Sequence, residues 1–379
     1  MINTALVSYG MSGRVFHAPF LELNPDFKLV GSWERSQKNI QARYPHTKSF
    51  DSYEEILNDP SIHLVIVNSP NDTHYEYTKR ALLAGKHAVT EKAFTVTVAE
   101  AEELDALAKK LNLKLAVYHN RRYDADFLTI QKLIKEDAIG EFLDIQISFE
   151  RYRTTLSPKV HKELPTPGAG VLFDLGPHLV DQALLLSGMP THIFADLRII
   201  RKVSLVDDYF TLLLYYPTHR ILLTSGMVYM QQLPAYKIYG SKGCFIKYRA
   251  DIQEDELLAD KIPTGPNWGV EPINDSIQIL MLNTSWKENC PVTISNLRIV
   301  KVLHWSFEQK PKHGLLVSHK DVANEILSIF KSLYAKKTFF KSIVPMYHYH
   351  GDDNASMLDN NTSMFNCRQN AMNPKKFST

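Results

Sequence analysis

A doubly wound parallel α/β sheet domain, followed by an α+β domain on an open mixed or antiparallel sheet, is the architecture this sequence predicts. Three observations lead there. Short apolar runs alternate with helix-spaced segments through the first 120 residues. A glycine-containing loop, Gly10-Met11-Ser12-Gly13, separates the first apolar run from the first helical stretch. Past residue 143, strand-like runs follow one another with little helix between them. Alternation calls for crossover helices and parallel strands, whereas consecutive strands pair as neighbours in an antiparallel or mixed sheet.

Residues 4–8 form the first run, and 27–33 a second that ends at Glu34. The run at 64–68 is continuous rather than alternating, as in a strand buried on both faces. Helical spacing covers 73–84 and stops at Gly85; a strand at 87–90, a helix at 98–111 and a strand at 114–118 follow. In the second half, 127–135 is helix-like, and strands are expected at 143–153, 192–200, 210–216, 220–227, 236–240 and 244–248. Ile145-Gln146-Ile147-Ser148-Phe149 alternates with period two, as a sheet with one covered face requires. The expected domains are therefore 1–120, 121–345 and a tail at 346–379. That tail holds six Asn and four Met but no Val or Ile, so it cannot bury a core and is expected to be disordered.

Composition narrows the function classes. The chain has 379 residues, 43 Lys+Arg against 41 Asp+Glu, and a formal net charge of +2. A dedicated nucleic-acid binder would be strongly and locally basic, so that class is set aside. With 44% hydrophobic and 22% charged residues, the chain is an ordinary globular protein. Cys244, Cys290 and Cys367 lie far apart with no C-x-x-C pair, which argues for a reducing compartment and against a metal framework. Tyr347-His348-Tyr349-His350 has no companion ligand cluster and reads as an incidental patch. No apolar run approaches the ~18 to 20 residues of a membrane span, and the start lacks a basic n-region. A cytoplasmic protein without membrane contact is expected.

Ligands of doubly wound sheets bind at the carboxyl ends of the strands. Three polar clusters fall there: Gly10 to Gly13, Ser69-Pro70-Asn71-Asp72-Thr73-His74, and Glu91-Lys92. Small residues let backbone N–H groups approach a pyrophosphate, whose charge the helix dipole favours. The loop departs from G-x-G-x-x-G because Ser8 takes the first glycine position. Glu34, 21 residues after Gly13, stands where an acid accepts from ribose hydroxyls. Arg35 and Ser36 suit a 2′-phosphate, while Glu34 suits a free ribose; the choice between NADP and NAD tilts slightly to NADP. Gly10, Met11, Ser12, Gly13, Glu34, Arg35, Ser69, Pro70, Asn71, His74 and Glu91 are the candidate cofactor residues.

The second half carries Phe173-Asp174-Leu175-Gly176-Pro177-His178. Asp174 and His178 are four apart and share a face if one helix holds both. If the helix instead begins near Pro177, His178 lies in its first turn, where the dipole favours the neutral imidazole. Either arrangement suits a general base beside a carboxylate. Helix caps and a structural histidine are the bland alternative for this spacing, as a solvated lysine is for Lys92.

Together these motifs resemble the glucose–fructose oxidoreductase / inositol dehydrogenase / rhizopine-catabolism (Gfo/Idh/MocA) family over about residues 2 to 272. The resemblance is carried by Tyr9 through His17, Pro70-Asn71-Asp72-Thr73-His74, Ala84-Gly85-Lys86-His87, Glu91-Lys92, Tyr118-His119-Asn120-Arg121-Arg122, Phe127 to Ile130 and Asp174 to His178. His119 to Arg122 and the segment from Ser241 to Tyr248 are most similar to the NADP-dependent scyllo-inositol dehydrogenase branch. The resemblance implies a Rossmann domain, an NAD(P)-dependent oxidoreductase of polyols, cyclitols or sugars, and a catalytic set of Lys92, Asp174 and His178. His178 would take the hydroxyl proton, Lys92 would stabilise the alkoxide, and Asp174 would orient His178 or accept from a substrate hydroxyl. It adds Asn120 to the cofactor side, Arg122 and Tyr152 to the substrate side, and a homodimer or homotetramer through the open sheet face. No metal is implied.

Two departures stand out. Ala93 replaces the family's proline after the lysine. Past Pro272 the correspondence fades, which points to an altered reading frame or a decayed gene from about residue 275. A well-packed strand at 277–283 would count against that reading. A non-catalytic NAD(P)-binding regulator and a damaged, weakly active relative are the competing functions.

Overall fold

The computed structural model describes residues 1–34, 38–159 and 162–271, and beyond them the backbone of five strands and isolated helical residues between 324 and 335. The chain divides into two compact units, Met1–Met281 and Leu282–Thr379.

The first unit begins with β1 (Ile2–Leu6), β2 (Phe27–Trp33), β3 (Lys48–Phe50), β4 (Leu64–Val67), β5 (His87–Glu91) and β6 (Leu115–Tyr118). These form one all-parallel sheet in the order 3-2-1-4-5-6. The helices between them are α1 (Ala18–Leu23), α2 (Ile40–Arg43), α3 (Tyr53–Asn58), α4 (His74–Leu83) and α5 (Val98–Lys110). All four residues of β4 are buried, as its continuous apolar run implies. Neighbouring strand residues fall into separate clusters: Val7, Val65 and Val67 pack with Tyr53 and Ile56, while Leu6 and Ile66 pack with Leu21 and Ile40. The two faces of the pleat are thus both covered. Helix α5 opens on a capping box between Thr97 and Glu100. Helix α4 stops at Gly85, whose φ of +74° lies in the left-handed region that glycine enters freely.

A second sheet follows, made of β7 (Phe142–Glu150), β8 (His192–Arg198), β9 (Tyr209–Tyr215), β10 (Arg220–Gly226), β11 (Tyr236–Gly240), β12 (Gly243–Lys247) and β13 (Ile277–Met281). Its order is 13-12-11-7-10-9-8. Only the pairing of β7 with β10 is parallel, so the sheet is mixed. Helices α6 (Ala125–Lys135), α7 (Val171–Asp174) and α8 (Gly176–Ser187) cover one face, and α9 (Ile252–Leu258) comes after β12. Phe127, Ile130, Leu179 and Ala183 from α6 and α8 pack on Ile145, Ile147, Phe210 and Ile221 of the sheet. The opposite face carries the cross-strand row Phe194, Leu213, Leu222, Gln146, Lys237 and Ile246.

The strand sought at 277–283 is present as Ile277–Met281, paired antiparallel with β12. Its packing lies outside the described residues. In the second unit, Leu297–Trp305 pairs with Pro311–His319 and Arg368–Asn370 with Asn373–Ser378, both antiparallel. Among the described residues no helix is long and apolar enough to cross a membrane.

Candidate active site

Strand order reverses between β1 and β4, and the crevice opens beyond their carboxyl ends. Asn68, just past β4, ties the two ends together. Its Oδ1 accepts from Ser8 N at 3.0 Å and its Nδ2 donates to Ser8 O at 2.7 Å. A Cβ on Gly13 would stand 2.3 Å from that Ser8 oxygen and 2.9 Å from Asn68 Nδ2, so only glycine fits there. The chain then enters a π turn, Gly13–His17, which runs into α1. Glu91, the last residue of β5, accepts from Ser12 Oγ at 2.5 Å and meets His17 Nε2 at 2.8 Å. Burial opposes its charge, yet His17 and Ser12 outweigh burial and hold the carboxyl down at about 2. The glycine loop is thereby fixed to the end of β5.

Gly10, Met11 and Ser12 face Ser69, Pro70 and Asn71 across a cavity of about 740 Å³, and Asn120 borders the same space. A close-packed glycine at a strand-to-helix turn, beside a cavity at the switch point, fits a dinucleotide. Gly10 to Ser12, Ser69 to Asn71 and Asn120 are the residues that would line it.

The far wall comes from the second sheet and its helices. Lys92, following β5, donates from Nζ to the Asp174 carbonyl oxygen at 2.6 Å and to Oδ1 at 3.3 Å. Lys162 also donates to Asp174 Oδ1, and Arg151 Nη1 lies 3.9 Å from Oδ2. Burial would raise the Asp174 pKa, but the Lys92 and Lys162 ammoniums outweigh it and hold the group well below the usual carboxylate range. Burial lowers the pKa of Lys92, with Asp174 opposing. Helix α8 starts at Gly176-Pro177, so His178 occupies its first turn, the second of the two arrangements weighed above. Burial first, then the Lys92 charge, push its pKa well below the ordinary 6.5. Its Nδ1 is buried without a hydrogen-bond partner among the described residues, and its ring stacks on Phe149 at 6.4 Å. No hydrogen bond joins Asp174 to His178 among the described residues; the carboxylate serves the two lysines instead.

Lys92, Asp174 and His178 line the same cavity as the glycine loop. Other expected residues sit elsewhere. Glu34 is buried, and its carboxylate accepts from Asn39 N and Ile40 N at the start of α2 and from Ser49 Oγ. Those oxygens are engaged inside the fold rather than presented to a ribose. His74 is fully buried, its ring nitrogens 2.7 Å from the Ala93 oxygen and 2.8 Å from the Ser69 oxygen, a brace between two site loops. Arg122 forks onto Asp181 at 2.8 Å and 2.5 Å, off the cavity wall. Tyr152 is 52% exposed and bridges Val228. Arg35 lies outside the described residues. Sequence reasoning missed Asn68, Lys162 and Arg151, whose partners are 60, 12 and 23 residues away in the chain. An asparagine ending a buried strand was the one legible hint among them.

The fold and this cleft define an NAD(P)-dependent oxidoreductase. The chain belongs to the Gfo/Idh/MocA family: residues 2–119 match the oxidoreductase family, NAD-binding Rossmann fold, and residues 127–246 match its C-terminal domain. It is 37% identical over 270 residues to the oxidoreductase YdgJ of Escherichia coli, covering 71% of this chain and 78% of that one. It is 38% identical over 270 residues to the scyllo-inositol 2-dehydrogenase (NADP(+)) IolW of Bacillus subtilis, covering 71% and 75%. An oxidoreductase structure from Bacteroides fragilis superposes with a TM-score of 0.66 at 41% identity, covering 74% and 84%.

Proposed function

We propose that the chain interconverts a secondary alcohol and its ketone on a polyol, cyclitol or sugar, using NADP in preference to NAD. The observation that carries this reading is that Lys92 and His178, from two different sheets, border one cavity with the glycine loop. When bound, the nicotinamide supplies the hydride chemistry. His178, kept neutral by burial and by Lys92, is fit to take the substrate hydroxyl proton. Lys92, held in position by Asp174, offers positive charge to the developing alkoxide. Asp174 thus acts as the anchor of Lys92 rather than as the orienting partner of His178.

Two points favour NADP. The Glu34 charge, which would repel a 2′-phosphate, is directed into α2 and Ser49, and the relative IolW is named for NADP(+). That relative's name also supports a cyclitol-like substrate. Residues 1–120 are assigned to the nucleotide and 121–345 to substrate and self-association. The half-open sheet face with Phe194 suits a homodimer or homotetramer, and the dispersed cysteines suit the cytoplasm.

The test follows NAD(P)H absorbance with a panel of inositols and aldoses. Turnover that disappears in His178→Ala, with NADPH binding retained, supports the enzyme. Tight NADPH binding with no turnover on any compound would replace it with the regulator.

A further inference from the structure

Two guanidiniums on the wall of the cleft, those of Arg151 and Arg153, have no hydrogen-bonded acceptor among the described residues. Lys92, Arg151, Arg153, Lys159 and Lys162 all border the cleft, and Asp174 is the carboxylate set among them. Of the other charged groups on this wall, Asp207 accepts from the main-chain N of Leu172 and has no cation within ion-pair distance among the described residues, and the rest have charged or histidine partners. Arg201 is paired with Glu163 and Asp208, Arg121 with Asp124, Asp251 and Glu254, and Glu91 with His17. Asp174 itself receives two ammoniums. Among the described residues, no carboxylate stands within ion-pair distance of Arg153 or Lys159.

Arg151 is the telling member. Its guanidinium lies over the Phe149 ring at 5.2 Å and 3.9 Å from Asp174, beyond hydrogen-bond reach. Its side-chain donors have no hydrogen-bonded acceptor among the described residues. Burial, then the like charge of Arg153, weaken its hold on its proton despite Asp174. A neutral polyol would leave this planar fork of donors poorly satisfied once solvent is excluded, whereas a carboxylate or phosphate matches it in two parallel hydrogen bonds.

A bound nucleotide would account for only some of these cations. Lys159 Nζ lies 3.5 Å from Met11 Sδ, so it belongs with the glycine loop and a pyrophosphate there. Arg151 and Arg153 instead continue β7, their main-chain N–H groups donating to Gly226 O and Met227 O of the second sheet.

Resting on the dehydrogenase reading of this cleft, we propose that the substrate is an acidic polyol. It is a sugar or cyclitol derivative bearing a carboxylate or a phosphate, whose anionic group is held by Arg151 and Arg153 while its reacting hydroxyl faces Lys92 and His178.

Calorimetry on the protein–NADPH complex, with the nucleotide saturating so that the glycine loop is filled, tests it. Glucuronate, gluconate and glucose 6-phosphate are compared with glucose and scyllo-inositol. The expected result is at least tenfold tighter binding of one or more acidic compounds, a gap that shrinks at least fivefold in Arg151→Gln. Arg153→Gln gives the same reading should the first variant fail to bind NADPH. The carboxylate and phosphate arms identify which anion the site takes. Equal binding of acidic and neutral compounds, or a gap unchanged in the variants, overturns the proposal. Failure of the dehydrogenase reading shows separately, as absence of NADP(H) turnover with every compound while the acidic preference in binding persists.

Discussion

Lys92 is anchored twice on Asp174, through the main-chain oxygen at 2.6 Å and the carboxylate at 3.3 Å. The residues are 82 positions apart, one past a strand of the parallel sheet and the other ending α7. The contact joins the two halves of the first unit at the place where the chemistry is proposed. Asp174→Asn removes the carboxylate facing Lys92, Lys162 and Arg151. Breaking such a shielded pair costs about 3 kcal/mol, read as a fall in denaturant midpoint, with turnover down about 10²-fold. The anchor role fails if Lys92 remains catalytically competent in this variant.

As the proposed base, His178 is expected to set the acid limb of the pH profile. Its pKa lies well below 6.5, so the base stays neutral as pH falls through the ordinary histidine range. Oxidation kcat/KM is expected to stay level from pH 8 to below 6.5. Stability follows the same sign. The unfolded chain takes up a proton at this residue below about 6.5 that the folded chain refuses, so the contribution is present above 6.5 and lost as pH falls further. Lys92→Met removes a like charge and moves the His178 titration upward, visible by NMR even if activity is lost.

Asn68→Ala deletes both hydrogen bonds to the Ser8 main chain. A loss of about 2 kcal/mol in stability is expected, together with weaker NADPH binding, measured by thermal unfolding and by fluorescence titration. Unchanged cofactor affinity would show that the loop holds its shape without the clamp.

Glu34→Ala unsatisfies the start of α2 and Ser49. It should cost about 1 to 3 kcal/mol of stability and leave the NADP-to-NAD preference within about threefold. A swing of preference toward NADP, with stability intact, would return this carboxylate to the ribose.

Phe194→Glu puts a charge on the open face of the second sheet, where this side chain is 59% exposed. If that face joins copies, sedimentation velocity shows dissociation toward monomer while the monomer's unfolding temperature changes little. An unaltered assembly would move the interface elsewhere.

Several features of the fold are legible in the sequence. The buried run of β4, the glycine loop and the alternation in β7 all appear where residue spacing placed them, and of the two arrangements open for His178 the structure has the helix that begins at Gly176. Such signals are short-ranged: propensity, capping and side-chain period act within a few residues. Three of the candidate site residues have partners within the fold that spacing did not foretell, for one common reason. Glu34 found orphan N–H groups at α2, His74 found two carbonyl oxygens, and Arg122 found Asp181. Each polar group took the partner that burial brought nearest, and motif spacing alone does not rank those competitors.

By itself, then, the sequence determined the two sheets and the family, and it singled out Lys92, Asp174 and His178 as candidates. Tertiary structure decided their relations: that Asp174 binds Lys92 and not His178, that Asn68 clamps Ser8, and that the Arg151 and Arg153 guanidiniums border the cleft without a hydrogen-bonded acceptor among the described residues. The physical reason is that strands and helices follow from neighbours along the chain. Partners in a site are chosen instead by closure of loops tens of residues long, where desolvation and charge select among the groups that folding brings within reach.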